Sequence, residues 1–306
     1  MRLTLRTLFA TALATVAPAT LAAQTEGLSG IGGKPAEIRC AMCADWTVPH
    51  PPVRLHGGTW YVGMRTLSAL LVTSPQGHIL LDGGLPATAP PILANIRAAG
   101  FDPHDVKVIV NSHAHFDHAG GIAALQRATG AEVVALDWSA RVLRRGITRR
   151  DDPQASEHFD FPAVRRVRTI ADGDTVRVGP LALVAHRTGG HTPGGTTWSW
   201  RSCEGDRCLD VVYADSQTPI STGTFRYTGS SAVRLFEAGH ARIAALPCDL
   251  LVTPHPEATR LWDRVAQRDA GDPSALYDAT ACRRYAASAR AALTTRLARE
   301  AAGELP

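Results

Sequence analysis

The spacing of apolar and polar residues changes several times along the chain, and each change marks an element. Thr59–Val62, Ser68–Thr73 and His78–Asp82 are short runs separated by Gly57-Gly58 and Pro75-Gln76-Gly77, and they read as strands. Ala89–Ala99 has helical spacing and stops at Gly100. Val106–Asn111 is a near-continuous apolar run, as expected of a buried strand. A helix over Gly121–Thr129 ends at Gly130, a strand follows at Glu132–Leu136, and Ser139–Arg145 is helical. The stretch 146–163 is polar, contains Pro and Asp, has no period, and reads as a mobile loop.

The second half repeats the theme. Val167–Ile170, Thr175–Val178, Leu181–His186, Thr196–Trp200, Val211–Ala214 and Leu250–Thr253 read as strands, and Ser231–Ala245 and Ser274–Arg299 as helices. Strands alternate with helices, yet hairpins occur within each half. This suggests an α/β (α+β) fold of two mixed sheets packed face to face with helices outside, a four-layer αββα sandwich. A single domain would span 24–306, with similar halves at roughly 24–165 and 166–306. Pattern alone does not supply this topology.

The N-terminus stands apart. Arg2 and Arg6 precede an apolar run, Leu8–Val16, and small residues ending at Ala22-Ala23. This reads as a secretory signal peptide over residues 1–23 and implies a periplasmic protein. An uncleaved anchor is disfavoured because no long second apolar run follows. Residues 24–52 are rich in Gly and Pro and read as an irregular arm. Removing residues 1–23 takes away two arginines and no acid, so the formal charge falls from +4 to +2. Arginine clusters (Arg144-Arg145, Arg149-Arg150, Arg165-Arg166-Arg168) have acids nearby and read as solvated faces rather than a nucleic-acid surface.

Six cysteines in an exported chain are expected to pair. Cys40/Cys43 and Cys203/Cys208 are close in sequence, and Cys248/Cys282 would then close a longer loop. Cys40-Ala-Met-Cys43 has the spacing of a redox motif. With no helix start or thioredoxin-like context expected around it, a plain disulfide is preferred.

Three histidines fall in His113-Ala-His115-Phe-Asp117-His118, between a buried strand and a helix. His191 and His255 each follow another strand. A lone His191 or His255 is ordinarily a hydrogen-bonded surface or core residue. H-x-H-x-D-H at a strand end is a specific signal. Imidazole and carboxylate suit zinc, and six ligands divided three and three leave each ion a position for water. His50, His56, His78, His104, His158, His186 and His240 lack such context.

These motifs, with Leu80-Leu81-Asp82-Gly83-Gly84, Gly190-His191-Thr192-Pro193-Gly194, Tyr213-Ala214-Asp215-Ser216 and Pro254-His255-Pro256, resemble the metallo-β-lactamase superfamily. Within it, the chain looks most like the subclass B3 β-lactamases. His118 in the second set, serine at Ser216 in place of a cysteine ligand, the Cys248/Cys282 and Cys203/Cys208 pairs, and the arm Ala44-Asp45-Trp46 carry that resemblance. It supports the αββα sandwich and implies two zinc ions per chain. His113, His115 and His191 would hold the first, and Asp117, His118 and His255 the second.

The resemblance further implies that Asp117 orients the nucleophile, that Ser216 lies near the second zinc, and that Ser216 and Thr218 receive the substrate carboxylate. Trp46 would edge the site, and Asp82 would orient ligands from outside. The implied activity is β-lactam hydrolysis by zinc-bound hydroxide, which confers antibiotic resistance. The partner is then a small β-lactam, with no nucleic acid and no membrane after signal cleavage, and the default state is a monomer. No S-x-x-K or G-x-S-x-G motif suggests a serine nucleophile. The rival is a thioester or lactone hydrolase of the same superfamily, whose bridging aspartate Asp215 could represent. A non-enzymatic metal-binding protein with a relict site is disfavoured by six intact ligands.

Overall fold

The computed structural model describes residues 38–157 and 159–304. The signal segment 1–23, arm residues 24–37 and His158 lie outside the described residues. Among the described residues, twelve strands form two sheets. In the first, β1 (Val53–His56), β2 (Thr59–Tyr61), β3 (Leu70–Ser74), β4 (Gly77–Leu81), β5 (Val106–Val110), β6 (Glu132–Leu136) and β7 (Val167–Ile170) lie in chain order. β1 to β4 are antiparallel, and β4 to β7 run parallel. In the second, β8 (Thr175–Val178), β9 (Leu181–Arg187), β10 (Thr196–Glu204), β11 (Arg207–Tyr213) and β12 (Leu250–Val252) also follow chain order. Here β11 and β12 are parallel and the remaining pairs antiparallel.

Alternation along the strands builds the layers. Ile79 and Leu81 of β4 and Val108 and Val110 of β5 pack between the sheets against Leu183, Trp198, Val211 and Val252. Leu80 and Ile109 point the other way. They meet α2 (Ala89–Ala98), α4 (Ile122–Thr129) and α5 (Asp137–Arg145) through Ile92, Ile96, Leu125 and Leu143. Across the second sheet, Val212 and Leu251 pack on Ile243 of α6 (Ser231–Ala245) and on Cys282 and Ala286 of α8 (Ala281–Ala301). The four-layer αββα sandwich expected above is the observed fold. The described residues belong to one compact unit. None of their helices is long and apolar enough to cross a membrane.

Several local expectations are corrected. A short helix, α1 (Cys43–Trp46), begins at Cys43 inside the arm, where no helix start was expected. The hairpin β10–β11 runs on past Trp200 to Glu204 and Arg207, because Cys203 and Cys208 face each other in register and are bridged. Its outer residues carry no apolar side chain of the core, and all but the buried Ser202 are exposed from Arg201 to Arg207, so no apolar signal marks them. The last helix starts at Ala281 rather than Ser274, since Asp278 caps the preceding turn through the N–H and hydroxyl of Thr280. The helices α3 (Phe116–Ala119) and α7 (Leu261–Asp269) are additional. The other disulfides join Cys40 to Cys43 and Cys248 to Cys282.

The topology gathers the site. β4 and β5 run parallel, as do β9, β11 and β12 in the other sheet, so their C-terminal ends feed loops toward one edge of the sandwich. Those loops carry Asp82, His113–His118, His191, Asp215-Ser216 and His255.

Candidate metal centre

β5 ends at Val110, and Asp82 holds the chain that follows. Its carboxylate accepts hydrogen bonds from the Ser112 N–H (2.7 Å), the Ser112 hydroxyl (2.6 Å), Asn111 Nδ2 (3.2 Å) and the Tyr213 hydroxyl (2.8 Å). Asn111 Nδ2 also donates to the His113 carbonyl at 2.7 Å. Asp82 is fully buried and has φ of 63°, a conformation uncommon for a non-glycine residue. It acts on the ligand loop through backbone and side-chain contacts, more than the turn cap that Gly83-Gly84 alone would need.

Ligand atoms of His113, His115 and His191 lie within 4.8 Å of one another. Each ring has one nitrogen facing an acceptor. His113 Nδ1 lies 2.8 Å from Asp215 Oδ1, His115 Nε2 3.1 Å from Asp152 Oδ1, and His191 Nδ1 2.8 Å from the Thr218 carbonyl. This leaves Nε2 of His113, Nδ1 of His115 and Nε2 of His191 for a metal. The arrangement is the outer-shell pattern of metal-bound histidine. His113 Nε2 is buried with no hydrogen-bond partner, as suits a nitrogen that would bind a metal.

Asp117, His118 and His255 form a tighter triangle. Asp117 Oδ2 lies 3.0 Å from His118 Nε2 and 3.4 Å from His255 Nε2, and the two imidazole nitrogens are 3.2 Å apart. Tetrahedral zinc with bonds near 2.0–2.1 Å sets its ligands about 3.3 Å apart. His113 also stands within 4.8 Å of Asp117 and His118, so the two sets adjoin.

Electrostatics agree with ligand chemistry. Burial pushes His113 far below the ordinary imidazole range, helped by His118 and His191. Burial takes His191 down to about 3, so both rings are neutral. Burial alone would raise Asp117, but His118 and His255 outweigh it and hold the carboxyl well below its usual range. Burial also opposes the charged form of His115, yet Asp152 raises its pKa overall. Asp215 is raised well above the carboxylate range by burial, with Asp82 adding to the effect.

Ser216 is buried and, with Thr218 and His255, lines a cavity of about 470 Å³ beside the second set. Thr218 is exposed, and its hydroxyl lies 3.3 Å from His191 Nδ1. Trp46 packs against His255 (5.7 Å between ring centroids) and Phe116 (5.9 Å), and Phe116 meets Phe159 at 4.3 Å. These rings form an apolar wall.

Asp152 and Gln154, the latter 3.4 Å from His191 Nε2, escaped sequence reasoning. They sit in the polar stretch 146–163, where only a solvated loop was legible. The buried Asp152 shows that part of this stretch is tied to the site.

Adjoining clusters of histidine and carboxylate at the strand ends of an αββα sandwich are the kind of donor set a metal-dependent hydrolase uses. Residues 63–273 match the family described as the Metallo-beta-lactamase superfamily, and the chain belongs to that superfamily. It is similar in structure to Rm3 metallo-beta-lactamase, with a TM-score of 0.84 and 48% identity, covering 86% of this chain and 99% of that one. It is also similar to MEM-A1, a subclass B3 metallo-beta-lactamase from a soil metagenome library, with a TM-score of 0.83 and 46% identity over 85% of this chain and 100% of that one. A hydroxyacylglutathione hydrolase of Rhodospirillum rubrum is 26% identical over 167 residues, 55% of this chain and 53% of the relative. The chain spans about half the length of the curated relatives it matches.

Proposed function

We propose that the chain is a zinc-dependent β-lactamase of the subclass B3 kind, binding two zinc ions and conferring resistance to β-lactams. The observation that carries this reading is the partnering of Asp215. Its Oδ1 lies 2.8 Å from His113 Nδ1, the nitrogen on the far side of the ring from the one left for metal. A thioester or lactone hydrolase reading requires that aspartate as a bridging ligand. Its placement behind His113, with Ser216 following it beside the cavity, favours a supporting role for it and with that the lactamase reading.

His113, His115 and His191 would hold the first ion, and Asp117, His118 and His255 the second. Bound zinc lowers the pKa of water to about 7 and polarises a carbonyl. Asp117, kept ionised, orients the attacking water. Ser216 and Thr218 receive the substrate carboxylate, and the wall of Trp46, Phe116 and Phe159 excludes water from one side. No covalent intermediate on a serine is formed. The chain is exported to the periplasm through a signal segment, residues 1–23, that is then cleaved, with 24–306 as a single domain, and acts as a monomer.

Purified zinc-loaded protein mixed with a chromogenic cephalosporin is expected to open the ring, and a chelator to stop it. Absence of turnover with any penicillin, cephalosporin or carbapenem sinks the lactamase reading. Activity that survives complete chelation sinks the metal mechanism, and one zinc per chain sinks the two-ion version.

A further inference from the structure

The C-terminal helix α8 ends in a buried ion pair that the proposed chemistry leaves unused. Arg296 Nε donates to Glu300 Oε1 at 2.7 Å, one turn on, with the side chains 12% and 0% exposed. A buried pair of this kind contributes little net stability by itself, because both charges lose their hydration. Its hydrogen bonds are directed at one segment, residues 218–228. Glu300 Oε1 also accepts the Tyr227 N–H at 3.0 Å. Oε2 accepts the Thr228 N–H at 2.8 Å and the Thr228 hydroxyl at 2.7 Å. Arg296 donates to the Pro219 carbonyl at 3.3 Å and to the Ser221 hydroxyl at 2.6 Å. Its guanidinium lies 5.1 Å from the centre of the Tyr227 ring, whose hydroxyl donates to the Ile220 carbonyl at 2.7 Å.

The same segment touches the first ligand set twice. The Thr218 carbonyl, directly before Pro219, faces His191 Nδ1 at 2.8 Å. Thr222 donates its N–H to the Pro153 carbonyl at 3.1 Å and accepts the Ser156 hydroxyl at 2.6 Å. That seats the loop whose Asp152 faces His115 Nε2 at 3.1 Å. Two of the three histidines in this set thus take their orientation from groups that the segment carries or seats. None of the hydrogen bonds of Asp117, His118 or His255 among the described residues reaches residues 218–228.

We infer that Arg296 and Glu300 are positioning residues for the first metal set, fixing segment 218–228 and, through Thr218 and Thr222, the rings of His191 and His115. The inference rests on the metal-centre reading above. It separates the two sets: a fault at the end of α8 is felt by the first and not by the second.

The test measures zinc affinity by competition with a chromophoric chelator in two full-length backgrounds. His255→Ala leaves the first set as the reporter, and His191→Ala leaves the second. Arg296→Met is expected to weaken the first set about tenfold, the scale of an outer-shell loss, and to move the second by less than about twofold. Arg296→Lys is expected to restore most of the loss. Thr222→Val removes the hydroxyl that accepts from Ser156, leaves the N–H bond to the Pro153 carbonyl and α8 in place, and is expected to weaken the first set by less than Arg296→Met does. If Arg296→Met weakens both sets equally, or lowers only the melting temperature, the inference fails. If Arg296→Met does not fold, an unchanged first-set affinity in Thr222→Val overturns it. A wild-type chain that binds no zinc overturns the metal centre and this inference with it. Wild type holding two ions with all variants indistinguishable overturns the inference alone.

Discussion

Among single residues, Asp215 bears most directly on the choice between the two proposed readings. Its Oδ1 faces His113, and Oδ2 is buried without a partner. Gly195 makes room for it, since a Cβ there would lie 2.1 Å from Oδ2. An orienting carboxylate keeps the proton of His113 on Nδ1 and makes Nε2 a better ligand. Asp215→Asn should therefore weaken zinc binding by the first set about 10-fold to 100-fold, leaving the fold intact. Zinc titration with circular dichroism as the fold control checks this. An affinity within twofold of wild type would return Asp215 to a purely packing role.

At the scale of elements, α8 combines a packing face with an anchoring end. Ala286 packs against the second sheet, and Leu293 meets Tyr227 and Phe236. Glu300 at its end has its pKa lowered to about 2, because its hydrogen bonds from Thr228, Tyr227 and Arg296 outweigh burial, which acts in the opposite direction. A folded-state pKa below the unfolded value contributes stability that is fully present above about pH 4.5 and lost as the pH falls toward 2. That contribution is at most about 3 kcal/mol. In urea unfolding, the stability gap between wild type and Glu300→Gln should be constant from pH 5 to 8 and shrink between pH 4.5 and 2. A gap independent of pH across that window would mean that the carboxylate is not held ionised by these partners.

The whole molecule brings the proposed ligands from both sheets to one edge, an arrangement that would couple metal binding to folding. His113–His118 leaves the first sheet, while His191 and His255 leave the second. A ligand that binds only the folded state raises its stability by mass action. At zinc in large excess over its dissociation constant, chelation should lower the melting temperature on the order of 10 °C. Differential scanning calorimetry before and after exhaustive dialysis against chelator checks this. An unchanged transition in protein shown to have lost its zinc would mean that the ions do not join the sheets energetically.

Much of this chain was legible before folding. Val106–Asn111, Glu132–Leu136 and Gly121–Thr129 are read correctly because burial of one face imposes a period on local sequence. The run from His113 to His118 is legible because four of the six proposed ligands lie within six residues on one turn. The polar end of the β10–β11 hairpin was not legible, since its register comes from a partner strand and a disulfide. Asp152, Gln154 and the Thr218 carbonyl were not legible either. A carboxylate in an aperiodic polar loop looks solvated until the chain folds and brings it to His115 across a separation of 37 positions. The partner of Asp215 likewise depends on a contact across 102 positions. Sequence alone therefore determined the kinds of candidate ligand and the elements that carry them, because both are written in local spacing, while the layering came from the family resemblance. Only the tertiary structure decided which group orients each ligand, because hydrogen-bond partners are set by distances between loops that the chain joins far apart.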